Sequence, residues 1–145
     1  MGEALRLARL GAGAGEVPVG AVAVARGEIV AGAYNAPISR NDPTAHAEIL
    51  VLRQAAERIG NYRLDGVTLY CTLEPCAMCA GALVAARIDR LVFGTRDLRF
   101  GAVRSKFRLA DSDLLNHRVE IVEGVLAPEC VSLLHEFFEP KRRPC

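Results

Sequence analysis

The sequence predicts an α/β domain built as a three-layer α/β/α sandwich, with a mixed five-stranded sheet and helices on both of its faces. The length of 145 residues suits one domain, spanning residues 1–145. Two short runs of β-forming residues flank the Arg26-Gly27 turn, which is typical of a β-hairpin. Strand and helix patterns then alternate, and this order indicates right-handed crossovers with helices packed against the sheet.

The first half of the chain is expected to hold a short helix, the hairpin and a longer helix. Apolar residues return at helical spacing in the longer helix, which closes at Gly60. The predicted elements are a helix near 5–10, strands at 19–25 and 28–34, a loop at 35–42 and a helix that starts at Asp42-Pro43-Thr44.

The second half is expected to continue with three strands and two helices. Pro75 suits the start of a helix, where its missing N–H costs nothing. Val131, Leu134 and Phe138 recur at helical spacing and are predicted to form the buried stripe of the last helix. The predicted elements are strands at 67–73, 91–95 and 118–125 and helices at 75–87 and 128–138.

Composition excludes several classes of protein. Hydrophobic residues make up 51% and charged residues 24%, which is normal for a globular domain and argues against disorder. No apolar run approaches the roughly 18 residues that a membrane span requires. The five cysteines are an odd number, and no secretory signal is recognised around Glu3, Arg6 and Arg9, so a disulfide framework is not expected. We therefore expect a cytoplasmic protein with no membrane partner.

Charge is spread unevenly although the net charge is only +1. Residues 96–108 carry five basic side chains against one acid, Asp97. Phe100 and Phe107 are interleaved with them, so the segment could hold phosphates and stack bases. The alternative is a solvated loop with two core aromatics.

Cys76 and Cys79 are three residues apart in the first turn of a predicted helix, so both sulfurs can reach one ion. This spacing alone is ambiguous, because it also occurs in redox pairs, in halves of structural zinc sites and among small core residues. A thioredoxin-like site is a poor fit, since a hairpin and a helix come before the cysteines.

His46 and Glu48 stand near the start of another predicted helix. One imidazole and two thiolates would leave the fourth zinc position open, which is typical of catalytic sites. Glu48 would then move protons, although residues i and i+2 of an ideal helix point roughly 200° apart. The alternatives are a favourable first-turn acid, or a non-catalytic zinc module in which Cys71 or another residue is the fourth ligand.

The joint pattern of H-x-E and P-C-x-x-C is typical of zinc deaminases of nucleobases. Several stretches resemble the bacterial tRNA adenosine deaminases, and the likeness runs from about Glu16 to Phe138. They are Val17-Pro18-Val19-Gly20-Ala21, Asn35, residues 42–48, Thr72-Leu73-Glu74-Pro75-Cys76 and Asn116-His117-Arg118-Val119. The resemblance implies a cytidine deaminase-like fold, conversion of the wobble adenosine of a tRNA anticodon to inosine, and a homodimer with one zinc ion per subunit.

The resemblance also implies roles for individual residues. His46, Cys76 and Cys79 would hold zinc and Glu48 would shuttle protons. The expected substrate contacts are Asn35 on the flipped base, the backbone at Ala47, Asp97 near the anticodon loop, Arg99 of the basic segment, and Phe138, with Phe137 beside it. The competing hypothesis keeps the zinc chemistry but assigns a free base, nucleoside or nucleotide of the cytosine, guanine or dCMP type.

Overall fold

The structure, a computed structural model, describes residues 1–142, so Cys145 lies outside the described residues. It contains five strands and five helices within this range. The strands are β1 Gly20–Ala25, β2 Glu28–Tyr34, β3 Val67–Leu73, β4 Arg90–Thr95 and β5 Glu120–Glu123. The helices are α1 Gly2–Gly13, α2 Pro37–Arg40, α3 Ala47–Ile59, α4 Ala77–Ala86 and α5 Ala127–Arg142.

The sheet has the order β2-β1-β3-β4-β5, which confirms a mixed five-stranded sheet. Strand β1 is antiparallel to both β2 and β3, whereas β3, β4 and β5 are parallel. Strand β2 therefore runs in the same direction as β3, β4 and β5. As a result, four of the five strands end at the same edge of the sheet.

Helices cover both faces of this sheet, as predicted. Helices α1 and α5 contact each other and pack on one face, and α3 and α4 contact each other on the other face. Helix α1 lies very close to the sheet at Gly20, where a Cβ atom would collide with the backbone carbonyl of Ala4. The larger core includes Val51, Leu69 and Phe93, and a smaller one joins α1 to α5.

Two helices in the middle of the chain differ from the sequence-based expectation. The predicted loop at 35–42 contains the short helix α2, whose Ile38 and Ser39 N–H groups donate to the buried carboxylate of Glu16. Helix α3 begins at Ala47 rather than at Asp42, because the Asp42 carboxylate accepts from the backbone N–H of Thr44 and closes a turn instead.

The terminal elements also differ in extent. Helix α1 spans 12 residues, β5 is shorter than predicted and α5 is longer. The predicted stripe of α5 was wrong: Cys130 and Leu133 are buried, whereas Val131 is 38% exposed. Cys130 packs against Gly94 of β4, where a Cβ atom would collide with its sulfur, and this contact fixes which side of α5 faces the core.

No helix among residues 1–142 combines the length and apolar character needed to cross a bilayer.

Candidate active site

The candidate site lies at the edge of the sheet where the four codirectional strands end. Asn35 follows β2, Glu74 and Cys76 follow β3, and Asp97 follows β4. Loops at the carboxyl ends of neighbouring parallel strands form the usual ligand crevice of α/β sheets. The sequence pattern predicts that the first residues of α3 and α4 lie at the same edge of the sheet. In the structure these two helix starts are adjacent there.

His46, Cys76 and Cys79 converge in the structure, and their ligand atoms all lie within 4.8 Å of one another. His46 Nδ1 is 3.6 Å from Cys76 Sγ and 3.5 Å from Cys79 Sγ. His46 and Cys76 are the N-cap residues of α3 and α4, so each has extended backbone that turns its side chain toward the other helix end.

These separations fit a tetrahedral zinc ion. Zinc binds sulfur at about 2.3 Å and imidazole nitrogen at about 2.0–2.1 Å, which puts tetrahedral nitrogen and sulfur ligands about 3.6 Å apart. Cys71, the alternative fourth ligand, is buried and does not belong to this group of described residues. The three side chains present therefore fit a zinc site that keeps one position open.

The protonation of the two thiols also favours a cation. A hydrogen bond with Cys79 and the nearby His46 lower the pKa of the Cys76 thiol to about 4. The same hydrogen bond with Cys76, together with burial, raises the pKa of Cys79. A divalent cation removes this conflict, since thiolate is the form of cysteine that binds metal.

Glu48 lies beside this group, in the first turn of α3, and is only 4% exposed. It reaches the same small site as His46 because His46 is extended and does not follow the helical rotation. Burial raises the pKa of the Glu48 carboxyl above its ordinary value. A carboxyl group with a raised pKa is suited to accept and return protons near neutral pH.

A cavity of about 840 Å³ opens onto His46, Glu48 and Cys76. Four of the five predicted substrate-binding residues line it: Asn35, Asp97, Arg99 and Phe138. Ala47 is fully buried and is not among the lining residues. The remaining walls are Val17, Val19, Leu73, Glu74, Arg96, Leu98, Phe100, Leu134, His135 and Arg142.

Asn35 is oriented by the start of α3. Its Oδ1 accepts a hydrogen bond of 3.2 Å from the backbone N–H of Ala47. A backbone N–H can only donate, so this contact fixes which end of the amide is oxygen. The amide nitrogen of Asn35 is consequently turned away from α3, and it can donate to a ligand in the cavity.

The rim of the cavity is formed in part by a turn after β4. The Asp97 carboxylate accepts from the N–H groups of Arg99 and Phe100, at 3.0 and 3.2 Å, and so closes the turn. The Arg99 guanidinium lies 5.6 Å from the centre of the Phe100 ring. Leu98 and Phe100 are 74% and 64% exposed, so this turn presents apolar surface beside a cation.

Other charges of the basic segment are used within the protein. Arg104 binds the Asp111 carboxylate at 3.1 Å and donates to the carbonyl of Val103, and Arg96 binds Glu123 at 3.0 Å. Arg99 makes no ion pair with another residue of the described range. Phe107 is 59% exposed, so the alternative of two core aromatics in this segment is wrong.

Helix α5 supplies a wall that the sequence analysis recognised only at Phe138. Leu134, His135 and Arg142 line the same cavity. His135 and Arg142 are three residues before and four residues after Phe138, which is the spacing of one helix face. Leu134 and Phe138 belong to the stripe that the sequence predicts to be buried in the core, whereas in the structure they line the cavity. The Phe138 ring is held edge-to-face against Phe137, with ring centres 5.2 Å apart.

Comparisons with known proteins agree with this geometry. The family model for MafB19-like deaminases matches residues 1–142. The chain is 51% identical to the tRNA-specific adenosine deaminase of Haemophilus influenzae, over 96% of this chain and 81% of the relative. It is 44% identical to the enzyme of the same name from Bacillus subtilis, over 99% of this chain and 89% of the relative.

Solved structures are similar as well. One, from a study of A-to-I editing by tRNA:A34 deaminases at the wobble position of transfer RNA, has a TM-score of 0.88 and 44% identity, covering 90% of this chain and 95% of that chain. Another, a guanine deaminase from Nitrosomonas europaea, has a TM-score of 0.82 and 26% identity, covering 94% of this chain and 81% of that chain.

Proposed function

The chain belongs to the tRNA-specific adenosine deaminases, and we propose that it converts the wobble adenosine of a tRNA anticodon to inosine with one zinc ion per subunit. The observation that carries this proposal is the convergence of His46, Cys76 and Cys79 at a cavity that Glu48 also lines. The net reaction replaces the C6–N6 bond of adenine by a bond from C6 to the oxygen of water, and releases ammonia.

His46, Cys76 and Cys79 would hold the zinc ion. When bound, zinc supplies Lewis acidity and lowers the pKa of a water in its open position to about 7. Glu48 moves the protons: it accepts one from the attacking water and delivers it to N1 of adenine. It then accepts the second from the new C6 hydroxyl and delivers it to the leaving amino nitrogen, which departs as ammonia. Because Glu48 is buried next to the metal-binding side chains, it does not exchange its proton with bulk water during the transfer.

Asn35 orients the base. Its oxygen is already bonded to Ala47, so its amide nitrogen donates to an acceptor on the purine. Val19 and Leu73 supply apolar surface in the same cavity, against which a flat base packs. Positioning of this kind can supply much of the rate enhancement of an enzyme.

The exposed part of the cavity suits RNA. Arg99 and Arg142 place positive charge around it, and Phe100 and Phe138 offer aromatic faces. Bases of single-stranded loops can be splayed out and stacked on such rings. The target base must leave its stack to reach a buried site, and this costs least in a single-stranded anticodon loop. The basic rim therefore supports tRNA as the partner. A tRNA partner in turn supports the assignment of the protein to the cytoplasm.

The proposal includes a homodimer. Helix α4 buries Leu83, Val84 and Ala86 within the chain, but Met78 and Ala85 stay exposed on its other side. This apolar surface carries no charged residue, since α4 contains none. An apolar helix face of this kind is typical of subunit interfaces.

A deaminase of free purines is the second candidate, because one of the similar structures is a guanine deaminase. Assays of ammonia release separate the two hypotheses. We expect release from an anticodon stem-loop with adenosine at the wobble position, and none from the same RNA with guanosine there. Release from free guanine, adenine or cytidine at a rate equal to that from the RNA would overturn the proposal.

A further inference from the structure

Glu74 is a buried carboxylate that the proposed chemistry does not use. It is 2% exposed and follows β3 directly, two residues before the metal-binding Cys76. No salt bridge to it is present in the described part of the chain. Burying a charge without compensation is costly, so its hydrogen-bond partners must balance it.

Those partners all come from one segment, residues 97–105. The Glu74 Oε1 atom accepts from the backbone N–H of Asp97 at 3.1 Å and from the Ser105 hydroxyl. Its Oε2 atom accepts from the N–H groups of Val103, Arg104 and Ser105, at 3.0, 2.7 and 3.0 Å. Five donors therefore surround one carboxylate, and they gather both ends of this segment around it.

The segment fits closely around Glu74 and its neighbours. A Cβ atom on Gly101 would collide with the Glu74 carboxyl group, so glycine is required at this close approach. The Ala102 N–H donates to the carbonyl of Pro75 at 2.8 Å, and Gly101 forms a β-bridge with Cys76. The segment is thus built onto the same stretch that leads to the zinc ligands.

This segment also carries a large share of the exposed cavity rim. Asp97, Leu98, Arg99 and Phe100 all line the cavity. Leu98 and Phe100 are mostly exposed, so burial of their own side chains does not hold the turn in place. The segment is held instead by the buried side chains of Ala102 and Val103 and by hydrogen bonds, the largest set of which ends on Glu74.

We infer that Glu74 is a positioning residue that holds the 97–105 segment in the conformation that receives RNA, and so determines how well the enzyme recognises nucleotides around the target base. The inference rests on the proposed function. Glu48 and Asn35 do not contact this segment through any hydrogen bond described above. Loss of Glu74 should therefore weaken capture of the RNA more than it slows the reaction once RNA is bound.

The test compares Glu74→Gln with the intact protein, both loaded with zinc, in single-turnover inosine formation on an anticodon stem-loop. Glutamine keeps the size of the side chain but places an NH₂ group against N–H donors and removes the charge. We expect the half-saturating RNA concentration to rise about tenfold or more, as the loss of charge-assisted hydrogen bonds implies. The rate at saturating RNA should stay within about threefold of the original, on the same grounds.

Two further variants separate positioning from mere loss of stability. Leu64→Ala removes a buried side chain before β3, at the other edge of the sheet, and should lower stability without changing the half-saturating concentration. Ser105→Ala removes only the hydroxyl bond to Glu74, and should raise that concentration in the same direction by a smaller factor. This milder change keeps the inference testable if Glu74→Gln does not fold.

Trypsin provides a readout that does not depend on activity. Cleavage after Arg99 and Lys106, which are both exposed, should be faster in Glu74→Gln than in Leu64→Ala under native conditions. The inference is overturned if Glu74→Gln and Ser105→Ala keep the original half-saturating concentration, or if Leu64→Ala changes it equally. An intact protein that forms no inosine would instead overturn the proposed function, so the two failures are distinguishable.

Discussion

His46 and Glu48 serve one small site although they are only two residues apart. An ideal helix would turn them to opposite sides. The structure resolves this because the helix begins between them: His46 is an extended N-cap and Glu48 is already helical. A helix that started at Asp42, as the sequence pattern predicts, would have turned the side chains of His46 and Glu48 to opposite sides.

Glu48→Gln should fold, keep its zinc and bind tRNA, but form almost no inosine. The amide keeps the shape and cannot carry the proton, so we expect the single-turnover rate to fall by roughly 10²–10⁴-fold or more. Inosine formation, zinc content and thermal midpoint should be measured together. Glu57→Gln, an exposed change on the same helix, is the matched control and should be fully active. Near-normal turnover in zinc-loaded Glu48→Gln would refute the mechanism.

The purified protein should contain one zinc per subunit, and Cys76→Ala should contain close to none. Removal of one of three protein ligands leaves a pair that cannot complete a stable tetrahedral site. Elemental analysis of protein prepared without chelators measures this directly. Cys130→Ala is the control, because Cys130 of α5 is buried against β4 and does not belong to the group of His46, Cys76 and Cys79. Equal zinc in Cys76→Ala and Cys130→Ala would contradict the site.

At the scale of elements, the sequence was informative wherever a local pattern decides the structure. The spacing of Cys76 and Cys79 predicted that their sulfurs lie close together, and the Arg26-Gly27 turn predicted the hairpin of β1 and β2; both are confirmed. The hydrogen bonds of Glu74 were not, since they join residues 23 to 31 positions apart. The buried face of α5 was predicted wrongly for the same reason. Cys130 packs into the space that the missing side chain of Gly94 leaves, and these two residues are far apart in the sequence. The individual substrate contacts stay predictions.

Arg99 and Arg104 belong to one basic segment, but they should behave differently. Arg104 is bound to Asp111, whereas Arg99 is exposed on the cavity rim. Arg99→Ala should make the log–log slope of tRNA affinity against salt less steep, by about 0.7 for each phosphate that the side chain no longer neutralises. Binding titrations at several salt concentrations measure this slope.

The control for Arg99 is Arg63→Ala, an exposed position shortly before β3 at the far edge of the sheet. It should leave the slope unchanged. An affinity that does not depend on salt would favour a small-molecule substrate over RNA.

At the scale of the whole molecule, two buried carboxylates each fix a segment beside the site. Glu74 holds the segment after β4, and Glu16 holds α2, which follows Asn35. Burial would raise the pKa of Glu16, but the hydrogen bonds from Ser39 and Ile38 outweigh it and lower that pKa below its ordinary value of 4.5. A depressed carboxyl pKa contributes stability that is present above the unfolded value and is lost as pH falls through the folded one.

Thermal stability should therefore fall progressively as pH drops below about 4.5, the ordinary carboxyl pKa that applies in the unfolded chain, toward the lower pKa values of Glu16 and Glu74 in the fold. Glu16→Gln should be less stable than the intact protein at pH 7, by roughly 1–2 kcal/mol or about 3–8 °C. The difference in stability between the intact protein and Glu16→Gln should become smaller in acid, because the Glu16 carboxylate of the intact protein is then protonated. Glu28→Gln, at an exposed position of β2, is the control. A gap that stays constant from pH 7 to pH 3 would contradict this account.

Light scattering at micromolar concentration should give twice the subunit mass of 15.6 kDa. Ala85→Glu places a charge on the exposed apolar side of α4 and should shift the protein to a monomer, since an unpaired charge in an interface is costly. Leu10→Glu makes a similar change on α1, where Leu10 is 51% exposed, and should leave the dimer intact. A monomeric intact protein would count against the interface.

The direction of the strands places one end of the molecule away from the cavity. Strand β1 and helix α3 both run away from the cavity, so the Arg26-Gly27 turn and the loop at 60–66 lie at the far edge of the sheet. Both turns already have positive φ at exposed positions, at Gly27 and Gly60. A fluorescent dye, an affinity tag or a surface tether attached there would leave the RNA-facing edge open. These two turns are therefore suitable attachment sites for a label with which tRNA binding can be followed in real time.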